Sequence, residues 1–181
     1  EWIQGVPCLF DEKGRTVAAN PKERWSHLRF LCSEHAYIQQ ESTYWTRALW
    51  ERAGGYISTE YKLIGDFELW SRFFEHASLY TPKCLVGGYR LRTEGQLTQD
   101  YSRYTGEADV LLKSLLNNAA YAKKVAAAEQ LKRWKGRIHK SRLLNISFIN
   151  TRIDRRLQAL YQYPEEIIFS RETQKLILSG P

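Results

Sequence analysis

The sequence predicts a mixed α/β fold over residues 1–100 and a basic, mostly helical extension over residues 101–181. Two observations support this division. Up to about residue 98, short apolar runs that end at Gly, Pro or Asn alternate with amphipathic segments, whereas a periodicity near 3.6 residues dominates beyond it. With 181 residues, 43% of them hydrophobic, the chain is long enough to bury a core.

The first predicted elements are strands. Residues 2–11 have the composition of a strand, and residues 15–19 return as a second strand after a turn at Gly14. Residues 25–32 are compatible with either a short helix or a loop. The chain is therefore expected to begin with two strands.

Two helices are predicted next. Ser42 has a suitable side chain for the N-cap of a helix over residues 44–53, and Gly54 suits the left-handed residue at its C-terminal end. Asp66 begins a second helix, which is expected to run to about Ala77.

The later elements are assigned from the same periodicities. They are strands over 79–81 and 83–90, helices over 101–134 and 140–161, and either a last short strand or a docked tail at 167–169.

Composition excludes several classes of protein. The three cysteines are far apart and the four histidines form no HxxxH or HExxH pair, so no metal site is expected in this chain. A sparse, odd number of cysteines fits a reducing compartment, which favours the cytoplasm. No apolar stretch approaches the ~18 residues of a transmembrane helix. The chain contains no Met, and we interpret it as a piece of a longer protein.

Three motifs occur in order along the first part. Residues 38–56 read IQQESTYWTRALWERAGGY, residues 65–73 read GDFELWSRF, and residues 88–92 read GYRLR, followed by GQLT at 95–98. Together they resemble the second half of the family 2 glycosyltransferases, which have the GT-A architecture. In that family the segments read Q-x-S-x-F/W-x-R-x-L-W-x-x-x-G-G-Y, then (E)D-x-E-L-W-x-R, then Y/F-R-x-H. The resemblance covers about residues 2–98.

This resemblance implies a partial GT-A, Rossmann-like fold and an inverting transfer of a sugar from a nucleotide-sugar to a glycan or lipid-linked acceptor, as in polysaccharide biosynthesis of the cell envelope. Such a transfer needs a base that takes the proton of the attacking hydroxyl, and a carboxylate is the usual choice. The family pattern marks Asp66 as that base. A helix start would lower its pKa unless burial raised it again. The local sequence alone would also fit a plain N-cap.

Five further residues are candidates for acceptor or sugar contact. They are Gln39, Gln40, Ser42, Glu68 and Trp70. The first three end an extended segment at the edge where α/β ligand sites form, or else they cap a loop. Glu68 is equally a charge in the first turn of a helix, with Arg72 pairing to a nearby acid. The helical spacing of Trp70 favours a core position over a sugar platform.

Arg90 and Arg92 are candidates for binding the diphosphate. The family often has His at the second position, so Arg92 is a departure that argues against a His-assisted metal site. Guanidinium groups bind diphosphates through charge-assisted, bidentate hydrogen bonds.

The nucleotide-binding half of the family precedes this region, and residues 1–181 contain no Asp-x-Asp pair and no Gly-rich phosphate loop. The resemblance therefore implies a divalent cation, Mg or Mn, held by an upstream Asp-x-Asp. The chain alone is expected to be inactive. The alternative is a non-catalytic carbohydrate-binding or assembly module.

The formal net charge of +7 is unevenly distributed, and the basic residues are concentrated in the extension. From Lys123 to Arg156 there are eleven basic residues, opposed by Glu129 and Asp154. Three interpretations remain open: docking at an anionic membrane surface, with the protein peripheral at its cytoplasmic face; nucleic-acid binding, for which no recognised module is present; and packing on the domain or on a second copy in a homo-oligomer.

Overall fold

The computed structural model describes residues 1–21, 24–32, 38–92, 101–140 and 147–179, with only the backbone at Lys140 and Ser147. Its architecture is mixed α/β with two mixed sheets, which confirms the fold class at that level.

The main sheet has five strands. In spatial order they are β4 (Thr43–Trp45), β1 (Trp2–Gln4), β5 (Leu79–Pro82), β7 (Glu166–Ser170) and β8 (Lys175–Ser179). The three central strands run parallel, while β4 and β8 are antiparallel edges. β8 was missed because its exposed, apolar sequence shows no alternation.

The small sheet has the order β3 (Thr16–Ala19), β2 (Cys8–Phe10) and β6 (Tyr89–Arg90). β2 pairs antiparallel with β3 and parallel with β6. The single strand predicted over 2–11 is therefore divided between two sheets. At the junction Gly5 still donates its N–H to the carbonyl of Ser42, in register with the pairing of β1 and β4, and Val6 donates to the carbonyl of Cys84. β2 then takes β3 and β6 as its partners.

Six helices are present in the described ranges, together with a 3₁₀ turn at Gln40–Ser42. They are α1 (His27–Leu31), α2 (Arg47–Arg52), α3 (Gly65–Phe74), α4 (Tyr101–Leu115), α5 (Ala119–Lys140) and α6 (Ser147–Tyr161).

The start of α2 differs from the prediction. Thr46, not Ser42, is the N-cap, and its side chain accepts the N–H of Leu49 at 3.3 Å. Ser42 is unavailable because its hydroxyl donates to the carbonyl of Gln39. The left-handed conformation predicted for Gly54 is confirmed, with φ at 99°.

The start of α3 also differs by one residue. The helix begins at Gly65, with Ile64 in the cap position, and ends at Phe74. Asp66 therefore lies inside the first turn rather than at the cap. An N-cap role for Asp66 is wrong, and its carboxyl group has a different set of partners.

The core is aromatic and lies between the main sheet and α3. Trp2 contacts Trp70, Phe73 and Phe74 with ring centroids 5.0–5.4 Å apart. α4 adds four side chains to the same core: Tyr104, Ala108, Leu111 and Leu112. Since β7 also joins the main sheet, residues 101–179 do not pack as a separate extension, and the boundary predicted near residue 100 does not divide the core.

Candidate functional site

Asp66 occupies the first turn of α3 and is half-buried. Its Oδ1 accepts the N–H of Phe67 at 2.8 Å. Burial raises the pKa of the Asp66 carboxyl above its usual value, and this effect exceeds the lowering by the backbone N–H groups of the turn. The result is a carboxylate with increased proton affinity at a partly accessible position, as a general base requires.

Glu41 is the charged neighbour that the sequence analysis did not identify. It lies in the 3₁₀ turn at Gln40–Ser42, and its negative charge raises the pKa of Asp66 further. The turn packs closely on Gly87, where a Cβ would overlap the carbonyl oxygen of Glu41. Two acids of this kind are 25 residues apart in the sequence, and no local pattern relates them.

Gln39 acts as a bridge to the small sheet. Its side-chain amide donates to the carbonyl of Cys8 at 2.8 Å and accepts the N–H of Cys8 at 3.2 Å, as a neighbouring strand would. The same strand, β2, pairs with β6, where Phe10 lies opposite Arg90. Gln39 thus connects the turn that carries Glu41 to the sheet that carries the predicted diphosphate-binding arginines.

Two other predicted acceptor contacts in this segment have different environments. Ser42 is fully buried and hydrogen-bonded to the carbonyl of Gln39, so the structure contradicts an acceptor contact there. Gln40 is exposed.

The predictions for Glu68 and Trp70 also require correction. Trp70 is 1% exposed and packs against Trp2 and Trp45, so it is a core residue and no platform for a sugar. Glu68 is buried, and both its oxygens accept from Arg72, at 2.8 and 2.9 Å. The pairing predicted for Arg72 is confirmed.

Arg72 has a wider structural role than an ion pair. Its guanidinium also donates to the carbonyls of Ala53 and Tyr56 and lies 4.2 Å from the ring centroid of Tyr56. Through these hydrogen bonds, Glu68 and Arg72 hold α3 against the turn that follows α2.

Arg90 and Arg92 lie at the small sheet. Arg92 lines an open cavity of about 360 Å³ with Leu91 and four residues of the 11–15 turn: Asp11, Glu12, Lys13 and Arg15. The backbone N–H of Arg15 holds the pKa of Asp11 below its usual value, and the charge of Arg90 adds to this effect. The cavity lining thus combines the cations of Lys13, Arg15 and Arg92 with the acids Asp11 and Glu12, and Asp11 pairs with Arg15 at 2.7 Å. Lys13 and Arg15 were not recognised from the sequence.

A second cavity, of about 420 Å³, lies between α1, the end of α3, and helices α5 and α6. On its wall the hydroxyl of Tyr121 donates to Glu75 at 2.6–2.7 Å, and His27 stacks on Phe74. The predicted site residues do not line this cavity.

Among the described residues, no three His, Cys, Asp or Glu side chains are grouped so that they could hold a metal ion. None of the helices in the described ranges combines the length and the apolar character needed to cross a membrane.

Comparisons with protein-family models, curated proteins and solved structures found no match for this chain.

Proposed function

We propose that this chain is the acceptor-side half of an inverting glycosyltransferase, which moves a sugar from a nucleotide-sugar to a glycan or lipid-linked acceptor. The observation that carries the proposal is Asp66, a half-buried carboxylate whose pKa is raised by burial and by Glu41. The motif resemblance supports the same residue independently. The parallel centre of the main sheet is compatible with a partial GT-A, Rossmann-like fold.

In the proposed reaction, Asp66 accepts the proton of an acceptor hydroxyl while that oxygen forms a bond to the anomeric carbon. The bond from the anomeric carbon to the nucleoside diphosphate breaks, and the leaving oxygen keeps the electron pair. Attack opposite to the leaving group inverts the anomeric centre. A raised pKa favours this step because the carboxylate then binds the proton more strongly.

The departing diphosphate needs positive charge near it. Lys13, Arg15 and Arg92 line one cavity with Asp11 and Glu12, which leaves a net charge of +1 on the lining, and Arg15 is paired with Asp11. Asp66 does not line this cavity. A divalent cation, Mg or Mn, would be held by an Asp-x-Asp pair in the nucleotide-binding half. Among the residues described in this chain, none is assigned to that ion.

The test is Asp66→Asn in the protein that joins this chain to its nucleotide-binding half. Asparagine keeps the size and the hydrogen bond from Phe67 but cannot take a proton. We expect kcat to fall by about 10²- to 10⁴-fold, the usual contribution of a general base, with the affinity for the nucleotide-sugar unchanged.

Asp109→Asn is the matched control, since Asp109 is an exposed acid on α4. It should leave turnover unchanged. Wild-type turnover in Asp66→Asn would place the base elsewhere, and equal loss in both variants would show that the effect is not specific to Asp66.

A further inference from the structure

Helices α5 and α6 form an antiparallel hairpin with one anchored end. Lys135 of α5 pairs with Asp154 of α6. Lys132, closer to the start of α5, interacts electrostatically with Tyr161 at the end of α6. The ends that meet the domain carry Tyr121 and Tyr161, which line the cavity with α1 and α3. The C-terminal end of α5 and the N-terminal end of α6 therefore point away from that anchor.

The distance from the anchor follows from helix geometry. Trp134 is thirteen residues after Tyr121, and a rise of 1.5 Å per residue places it about 20 Å further along the axis. Arg137 is one further turn away. We call the part of this end formed by Arg133, Trp134, Arg137, Phe148 and Arg152 the hairpin tip. All five side chains are exposed.

The hairpin tip combines large apolar side chains with cations. Trp134 is 55% exposed and Phe148 is 70% exposed, which is costly in water for side chains of this size. Arg133, Arg137 and Arg152 surround them in the sequence, and no acid occurs between Glu129 and Asp154. Those two acids each bind a lysine, Lys132 and Lys135 respectively. The exposed residues at this end of the two helices are thus cations and aromatic rings.

We propose that the hairpin tip docks this protein on an anionic lipid bilayer. Tryptophan is favoured at the boundary between head groups and acyl chains, where its ring is buried and its N–H stays in a polar environment. Arginine side chains beside it would lie among the anionic head groups. The cavity that the hairpin helps to line lies at its anchored end, and none of the hairpin-tip residues lines it, whereas proteins that bind single-stranded nucleic acid without sequence preference use a positively charged groove. This proposal does not depend on the transferase activity.

The test is co-sedimentation of the full chain with vesicles of phosphatidylcholine alone and of phosphatidylcholine mixed with phosphatidylserine. Binding is expected with the mixed vesicles only, and it should weaken as salt is added. Each of Arg133→Gln, Arg137→Gln and Arg152→Gln should weaken binding about fivefold, the equivalent of ~1 kcal/mol per charge near an anionic surface. Trp134→Ala with Phe148→Ala should weaken it by about tenfold or more.

Two matched controls test whether any exposed cation or any exposed apolar side chain would affect vesicle binding in the same way. Lys113→Gln removes an exposed cation from α4, and Leu176→Ala removes an apolar side chain that is 65% exposed on β8. Both should bind like the wild type. Equal binding to both kinds of vesicle, no binding, or unchanged binding of the tip variants would overturn the proposal. The proposal would also be overturned if the protein bound duplex DNA or RNA but no vesicles, and the arginine variants lost that nucleic-acid binding. Self-association that is abolished by the Trp134 and Phe148 changes would overturn it as well.

Discussion

At Asp66, two opposing effects act on one carboxyl group. The N–H groups of the first helical turn favour its charged form, because Phe67 donates a hydrogen bond at 2.8 Å. Burial and the negative charge of Glu41 favour the neutral form, and burial is the largest effect. The pKa of the carboxyl is therefore raised, which neither the helix position nor the sequence motif alone would predict.

This raised pKa predicts the pH dependence of transfer. A base acts in its ionised form, so the rate should rise with pH through the raised pKa of Asp66 and then level off. Glu41→Gln removes a like charge, so the pKa should fall and the rising limb of the profile should move to lower pH. The measurement is kcat against pH for the wild type and this variant.

Glu60→Gln is the control, because Glu60 is also an exposed acid but belongs to the loop before α3. Its profile should match the wild type. A Glu41→Gln profile with an unmoved acidic limb would mean that Glu41 does not influence the base.

At the scale of elements, buried charge and close backbone packing hold α3 and the 3₁₀ turn in place. Glu68 and Arg72 are a buried pair on α3 whose guanidinium also reaches two carbonyls of the preceding turn. Such a pair adds little to the free energy of unfolding compared with apolar side chains of similar volume. The loss of one partner, however, leaves a buried charge without compensation.

Arg72→Ala should therefore lower the free energy of unfolding by about 3–5 kcal/mol. Urea unfolding measures it. Lys135→Ala breaks an exposed pair with Asp154 and should cost less than about 1 kcal/mol, as is usual at the surface. If Arg72→Ala lowered the free energy of unfolding as little as Lys135→Ala, Arg72 would not hold α3 in place.

Gly87 and Gly106 provide a second matched pair of changes. A Cβ at Gly87 overlaps the carbonyl oxygen of Glu41, so Gly87→Ala must displace the turn that carries Glu41 and should reduce both stability and turnover. Gly106 lies in α4 with nothing within 4 Å of an added Cβ. Gly106→Ala should stabilise the protein by roughly 0.5–1 kcal/mol, because alanine is the better helix former. Thermal unfolding compares the two variants, and a stable, active Gly87→Ala protein would show that the turn can move.

At the scale of the whole molecule, the C-terminal region is part of the fold that carries the site. β7 pairs with β5 in the main sheet, with Thr81 opposite Glu166, and α4 buries Leu111 and Leu112 in the common core. The pattern of apolar residues in the sequence changes near residue 100, but one core contains side chains from both sides of that position.

A chain shortened to residues 1–100 should therefore lose its fixed core. It would lack β7 beside β5 and the four core side chains of α4, so apolar surface that is buried in the complete chain would face water. We expect loss of the near-ultraviolet circular dichroism of the tryptophans and no cooperative thermal transition. A sharp thermal transition in the shortened chain would instead support a separate domain over residues 1–100.

Much of the local structure was predictable because it depends on neighbouring residues. The strand around residues 16–19 and the left-handed Gly54 follow from local pattern. The pattern left a helix or a loop open at α1, and a strand or a docked tail at β7. The helix over 44–53 was predicted too long, because the pairing of β4 with β1 takes its first residues. The GQLT segment at 95–98 and residues 141–146 of the helix predicted over 140–161 lie outside the described residues.

The sequence by itself determined the approximate positions of the later helices, where the acids and cations are concentrated, and that a carboxylate lies at the start of α3. Only the tertiary structure decided that Ser42 and Trp70 are buried, that the charge of Glu41 acts on Asp66, and that Arg92 lines one cavity with Lys13 and Arg15. Local pattern reflects φ and ψ preferences and the spacing of apolar residues within one element. Contact between distant elements depends on which strands pair and which faces pack, and those are properties of the whole chain.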